Sequence, residues 1–510
     1  MIPVLDNLAM READRVTIED LGLPGMVLME AAAAAVSDAL QAAFAAASRV
    51  VVVCGPGNNG GDGLACARQL HCRGFDVVPV LLAAEAALSP DARRQLELAR
   101  SFGLDPESMS GDDFGSLAAV LDGGDVVVDA LFGTGLDRPL EGRWAAVVET
   151  INLAGRPVVA VDVPSGLSGS RSTVLGATIE AALTVTFGAP KLAHVLPPAC
   201  LRCGKVGVAE IGIPPWKISR APSAWMLEPL DVAGWLPARV ADAHKGKFGH
   251  LVLVAGRLGR AGAAGLAARA AVASGCGLVT VVTGPGAVTP VQVLVPEAMV
   301  DSLGSAGEAG GHDVLAAALA RATAVGIGPG IGLDAGAAGL LDQILAEWAG
   351  PLLIDADALT LLAGRLGSLR GRAGSTVLTP HPGELARLLV TTTEAVVDDR
   401  ITAAQAGVAA SGAVVVAKGA RTIIAGPEQV PWINPTGTSG LASGGSGDSL
   451  TGTIAAFLAQ GVSAPRAAAL GTWLHGRAAE LAAEQFPSAV PAGELANRLP
   501  AAEAELRALP

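Results

Sequence analysis

Apolar residues recur along this chain in two alternating rhythms. From Asp6 to about Leu21, and again from Met26 to Phe44, they fall three and four residues apart, the spacing of one helix face. Arg49–Cys54 is instead a β-branched run that ends on glycine, which predicts a buried strand. Helical spacing returns over Gly61–His71, a strand over Val77–Leu82 and a helix near Asp91–Phe102. Further strands are predicted at Asp125–Asp129, Pro157–Val161, Leu183–Phe187 and Val206–Ile211. Strand, helix and strand at this spacing imply a parallel sheet covered on both faces.

The rhythm breaks over 212–240, where Gly-Ile-Pro-Pro-Trp, Ala-Pro-Ser and Leu-Pro-Ala follow one another. Proline at this density disfavours regular elements, so a linker is expected near 215–225, dividing the chain into domains 1–220 and 221–510. The alternation then restarts, with strands at 251–255, 278–282, 324–327, 351–354, 376–379 and 413–417. Helices are expected at 262–274, 334–348 and 399–411, then at 447–460 and 464–484. The fold class is α/β, with a three-layer αβα domain in each half.

Composition narrows the partners. A length of 510 residues suits two to four domains. A net charge of −13 repels nucleic acid and anionic lipid, and neither is expected to bind. The longest apolar-looking stretch, Ala31–Ala47, is interrupted by Ser37, Asp38 and Gln41, and no membrane span is expected. Residues 1–25 lack a basic start followed by an apolar run, so no secretory leader is expected. Six cysteines include one CxxC, Cys200 and Cys203, with no second pair to complete a zinc site; reduced thiols in a cytoplasmic protein are expected. The absence of tyrosine removes the phenol as an acid or base.

In the first half, Gly55, Gly57 and Gly60 form a GxGxxG loop between strand and helix, a geometry that turns backbone N–H groups toward phosphate. The acid of an ordinary dinucleotide fold, about 20 residues on, is out of place, because Asp76 precedes the second strand and Glu85 follows it. Asn58, Asn59 and Asp62 add side-chain oxygens to the loop, suited to ribose, amide or a hard cation; a self-capped tight turn accounts for the same residues. Two more loops, Asp129–Leu136 and Asp162–Leu167, follow strand ends that share one sheet edge. Asn59, Asp129 and Ser165 can converge there as an all-oxygen set, which favours an alkali or alkaline-earth ion over zinc. Asp162 is the acid–base candidate of this half, with turn capping as the alternative. The segments VVCGPGNNGGDG, DALFGTGL, VDVPSGL and TVTFGAPK resemble the NAD(P)HX epimerase domain of the bifunctional NAD(P)H-hydrate repair enzymes, over about residues 6–213. The resemblance implies a Rossmann-like fold. It also implies that Asn58, Asn59, Gly60, Gly61, Asp62, Gly133, Thr134, Gly135, Leu136, Asp137, Arg138, Pro139 and Asp162 contact the hydrated nucleotide, and that Asn59, Asp129 and Ser165 hold K⁺. Ala32, Ala181-Ala182 and Ala193 depart from the family pattern, outside the three loops.

In the second half the sharpest signal is Gly444–Gly452, where glycines precede Asp448 in the first turn of an apolar helix. The free N–H groups of that turn can cradle phosphate, and Asp448 beside them can take a proton from an attacking hydroxyl. A carboxylate that merely favours the helix dipole is the alternative. Lys418 after the strand at 413–417 suits a nucleotide phosphate; His381, stiffened by flanking prolines, suits substrate contact. Asp355 and Asp357 suit either water and Mg²⁺ or helix capping. HKGKFGH, TPHPGE, AKGART and ASGGSGDSLTG together resemble the ribokinase-like ADP/ATP-dependent NAD(P)HX dehydratase domain, over about 225–485. The resemblance implies that Ala263, Gly332, His381 and Asp448 contact the hydrated coenzyme. It implies that Lys418, Gly419, Ala420, Arg421, Thr422 and Gly447 contact the adenine nucleotide, ADP in bacterial members, and that several subunits assemble. Thr438 and Ser449 stand where the family has Asn and Val. Two rivals remain: a ribokinase-like kinase releasing a stable phosphate ester, and a first domain that binds without catalysis.

Overall fold

The computed structural model describes every residue except 110, 112, 113, 137, 305–310 and 510. The chain forms two compact units that part at Ala224 and Trp225. The proline-rich stretch between them is more regular than its composition suggests. It holds a short helix, Pro215–Ile218, and a strand, Ala224–Met226.

The N-terminal unit is built on a seven-stranded, all-parallel sheet. Its order is Glu107–Ser108, Asp76–Leu81, Arg49–Cys54, Val126–Ala130, Val158–Val161, Leu183–Phe187 and Lys205–Ala209. The central strand Arg49–Cys54, the first of this sheet along the chain, has its successor on one side and the later strand Val126–Ala130 on the other. Connections therefore leave in opposite directions and open a crevice at the carboxyl ends of these two strands. Val50–Cys54 are fully buried because helices cover both faces. One of these is Gly25–Ala43, long and apolar enough by composition alone to cross a bilayer; its Leu28, Ala33, Val36 and Leu40 instead pack into the core. The helix predicted from Asp6 ends its α portion at Arg15 and continues as a π turn over Val16–Asp20.

The second unit repeats the device on a wider sheet. Its parallel strands, in spatial order, are Val414–Ala417, Thr376–Leu378, Leu352–Ile354, Ala324–Ile327, His250–Val254, Leu278–Thr283 and Met299–Ser302. The order reverses between His250–Val254 and Ala324–Ile327. Ile423–Ala425 and Trp432–Ile433 extend the sheet antiparallel. The helices Ala261–Ala273 and Ser446–Ala459 pack closely over it, because Ala264, Ala267, Ala268 and Ala271 leave their backbones little separation.

Candidate active sites

At the crevice of the first sheet the three predicted loops meet. Gly55 is required where the loops touch, since a Cβ there would sit 2.0 Å from the Leu131 carbonyl. The helix begins at Asn58, three residues earlier than its apolar spacing suggests, because the Asn-Asn-Gly-Gly start is polar. In front of it lies a cavity of about 830 Å³. Asn58, Asn59, Asp62, Gly133, Thr134, Gly135, Leu136, Arg138 and Asp162 all line it. Gly60 and Gly61 do not. Both are buried, and a Cβ on them would meet the Gly55 carbonyl at 1.9 Å and the Met29 methyl at 2.8 Å, so they serve close packing. Pro139 is exposed outside the cavity, and Asp137 lies outside the described residues.

Asp162 does not cap a turn. It sits at φ +64°, buried, and its Oδ1 accepts Lys191 Nζ at 2.7 Å and Thr186 Oγ1 at 2.9 Å. Its Oδ2 is turned toward Gly133, 3.3 Å from where a Cβ would stand. Burial alone would raise this carboxyl, but the Lys191 ammonium overrides it and holds it below its usual range. Lys191 is itself 1% exposed and also donates to the Phe187 carbonyl. Lys191 and Thr186 were present in the TVTFGAPK segment, but nothing in their spacing told them from core residues. Asp62 and Asp14 face the same cavity in a different state. Burial, then the neighbouring carboxylates, push Asp62 well up. Burial pushes Asp14 to about 6, against the opposing pull of Lys191.

Behind the cavity wall, Asp129 is fully buried and accepts the Ser165 N–H at 2.8 Å and hydroxyl at 2.7 Å, and the Leu131 N–H at 3.2 Å. No cation partners it among the described residues, and burial pushes it up to about 6. The Asn59 amide nitrogen is buried without a partner. A buried carboxylate lacking a counter-charge, with the Ser165 hydroxyl oxygen against it, is all-oxygen donor chemistry that suits a hard cation.

In the second unit, Gly445 at φ +90° turns the chain into the helix Ser446–Ala459, and Asp448 stands in its first turn. Burial first, then Asp355, push Asp448 up to about 6, while Lys418 opposes them. Lys418 Nζ pairs with Asp355 at 2.9 Å and lies 3.7 Å from Glu384. A Cβ on Gly447 would stand 3.5 Å from the same nitrogen, so lysine and glycine turn adjoin. Asp355 makes no cap; its second oxygen accepts Thr451 Oγ1 at 2.6 Å. Asp357 accepts the Gly332 N–H at 2.8 Å. Ala263 lies beside the same loop, 3.2 Å from where a Cβ on Gly330 would stand. His381 caps the helix Pro382–Leu389, its Nδ1 accepting the N–H groups of Gly383 and Glu384, while its ring remains exposed. Structural cap and exposed contact therefore coexist in one residue.

The turn Lys418–Thr422 is held from below. Arg400, buried and unseen in the sequence pattern, donates to the carbonyls of Ala417 and Ala420, and Gly419 lies over its guanidinium. Arg421 donates to the Pro435 carbonyl, and Thr422 to that of Gly419. His475, also missed, meets the Ser446 carbonyl at 2.9 Å, and burial drives its ring down to about 4, so it is neutral and donates. The two departures are accommodated: Thr438 Oγ1 caps the turn by accepting the Gly440 N–H, and Ser449 bonds the Ala492 carbonyl.

Two family models match this chain, one described as YjeF-related protein N-terminus over 25–193 and one as NAD(P)H-hydrate dehydratase over 251–501. The chain is 40% identical over 509 residues to the bifunctional NAD(P)H-hydrate repair enzyme Nnr of Moorella thermoacetica, covering 96% of this chain and 94% of that one. It is 34% identical over 476 residues to its Escherichia coli counterpart, covering 93% and 89%. The ADP/ATP-dependent NAD(P)H-hydrate dehydratase of Bacillus subtilis, co-crystallised with ATP and Mg²⁺, superposes with a TM-score of 0.51 at 31% identity, covering 56% of this chain and all of that one. With nearly its whole length matched by such relatives, the chain belongs to the family of bifunctional NAD(P)H-hydrate repair enzymes.

Proposed function

We propose that the C-terminal unit removes water from hydrated NADH and NADPH at the expense of ADP, and that the N-terminal unit interconverts the R and S hydrates. The observation that carries the reading is the placement of Asp448. A carboxylate with a raised proton affinity stands in the first turn of a glycine-led helix, beside the Lys418 ammonium.

The chemistry follows from charge. The hydroxyl at carbon 6 of the nicotinamide ring is a poor leaving group. Asp448 takes its proton, and the oxygen attacks the terminal phosphorus of ADP. The first-turn N–H groups and Lys418 oppose the negative charge that gathers on the phosphoryl oxygens. AMP departs; the bond between carbon 6 and the phosphate oxygen then breaks as a proton leaves carbon 5 for solvent, which forms the C5=C6 double bond and gives NAD(P)H and free phosphate. Phosphate leaves readily where hydroxide does not. Ala263, Gly332 and His381 are assigned to the coenzyme side, and Gly419, Ala420, Arg421, Thr422 and Gly447 to the nucleotide side. Asp355, engaged by Lys418 and Thr451, and Asp357, engaged by Arg260 and the Gly332 N–H, are the carboxylates that would organise water or the Mg²⁺ that accompanies a nucleotide.

In the N-terminal unit, Asp162 is the ionised group facing the hydrated ring, with Asn58, Asn59, Asp62, Gly133–Leu136 and Arg138 around the nucleotide. Asn59, Asp129 and Ser165 would hold K⁺; bound there, it would fix the loops that carry Asn59 and Ser165. Six free cysteines suit a cytoplasmic protein. Assembly of several subunits belongs to the same reading.

The test is Asp448→Asn in the full chain, assayed on chemically hydrated NADH with ADP and with ATP. Dehydration should fall by about 10²–10⁴-fold or more, while epimer exchange continues. In the wild type the dehydration rate should climb as pH rises through about 6, where Asp448 ionises. Undiminished turnover in the variant, or accumulation of a stable phosphorylated product in the wild type, would overturn the assignment.

A further inference from the structure

The N-terminal cavity contains a carboxyl group that no step above uses. Asp14 lies on the helix Asn7–Arg15, where Met10, Arg11, Asp14 and the following Ile18 present one stripe to the cavity that Asp162 also lines. It is half-buried, with no hydrogen-bond or ion-pair partner among the described residues. Asp162, by contrast, has one oxygen fully engaged by Lys191 and Thr186. A carboxyl group partly withdrawn from water without a partner is disfavoured in its charged form. Around it stand Asp62, Asp91, Asp162 and Lys191, together with Arg11 on its own helix and Arg138 across the cavity. Burial first, then Asp162, favour its protonated form, and Lys191 opposes them. Asp162 is driven the other way. Two carboxyl groups that line one cavity and are pushed apart in proton affinity are the arrangement of an acid–base pair.

We infer that Asp14 is a second catalytic group of the epimerase half, acting as the acid that protonates the departing hydroxyl while Asp162 serves the opposite face. This rests on the epimerase reading given above. The step balances. The Asp14 proton passes to the carbon-6 hydroxyl, the C–O bond breaks, and the ring-nitrogen lone pair forms an iminium with release of water. A water then adds from the other face. Its oxygen bonds to carbon 6, its proton goes to Asp162, and the electron pair returns to nitrogen. Solvent resets the two carboxyl groups, and no oxidant or further reactant is needed.

The experiment follows R-to-S exchange of hydrated NADH in the full chain, above the uncatalysed rate, for wild type, Asp14→Asn and Asp14→Glu. Asp14→Asn should lower kcat by about 10²-fold or more with little change in KM, and Asp14→Glu should recover part of it. In the wild type, kcat should fall as pH rises through about 6, and exchange run in ¹⁸O-water should place the label in the product. The pH profile and the label are read on the native protein, so they hold even if a variant folds poorly. A wild-type rate insensitive to pH in that range, inversion without label, or full activity in Asp14→Asn would overturn the assignment of Asp14. A wild type that shows no exchange would instead overturn the epimerase reading itself.

Discussion

A lysine with 1% of its side chain accessible is stable only while its charge is matched. Lys191 is matched by Asp162, and each depends on the other. Removing one partner of a buried pair strands the remaining charge and costs about 3–5 kcal/mol. Lys191→Met should therefore destabilise the N-terminal unit by that order at neutral pH. The folded-state affinity of Asp162 lies below its ordinary value of 3.8, so its stabilising share is complete above that value and is lost as pH falls through the depressed one. The penalty of the substitution should shrink in acid, where Asp162 protonates. Thermal unfolding of both proteins across that range checks this, and a penalty independent of pH would contradict it.

At the scale of elements, the second site depends on how closely two helices approach. A Cβ at Gly452 would stand 1.9 Å from the Ala267 carbonyl of the neighbouring helix Ala261–Ala273. Gly452→Ala must part the helices, which costs about 1–3 kcal/mol and tilts the turn that carries Asp448. Denaturant unfolding and dehydratase rate should fall together; an unchanged midpoint would contradict the packing. The central strands and the long apolar helices were legible because buried parallel strands read as β-branched runs and their covering helices as apolar stripes. The strands Ile423–Ala425 and Trp432–Ile433 were not, being two or three residues long amid glycine and proline. The helix Ala492–Arg507 was hidden by its internal Pro500. At the sites, loops with glycines beside Asn59, Asp162 and Asp448 were legible because backbone turns need particular residues. Thr451, Arg400 and His475 were not, because their roles come from long-range contacts that no local spacing records, nor was Asp14, which only the fold brings to the cavity of Asp162.

At the scale of the whole molecule, each unit carries its own sheet, core and site. The two activities should therefore fail separately: Asp162→Asn should stop epimer exchange and spare dehydration of the S hydrate, the converse of Asp448→Asn. Mixing the two variants should restore consumption of both epimers, because the intermediate is the free hydrated coenzyme. Consumption of S alone by the mixture would contradict this. The central claim is that water leaves as phosphate, and an isotope reads it directly. Hydrated NADH bearing ¹⁸O at the carbon-6 hydroxyl, turned over once with ADP, should deliver the label to inorganic phosphate; label found in solvent water, with phosphate unlabelled, would contradict the mechanism.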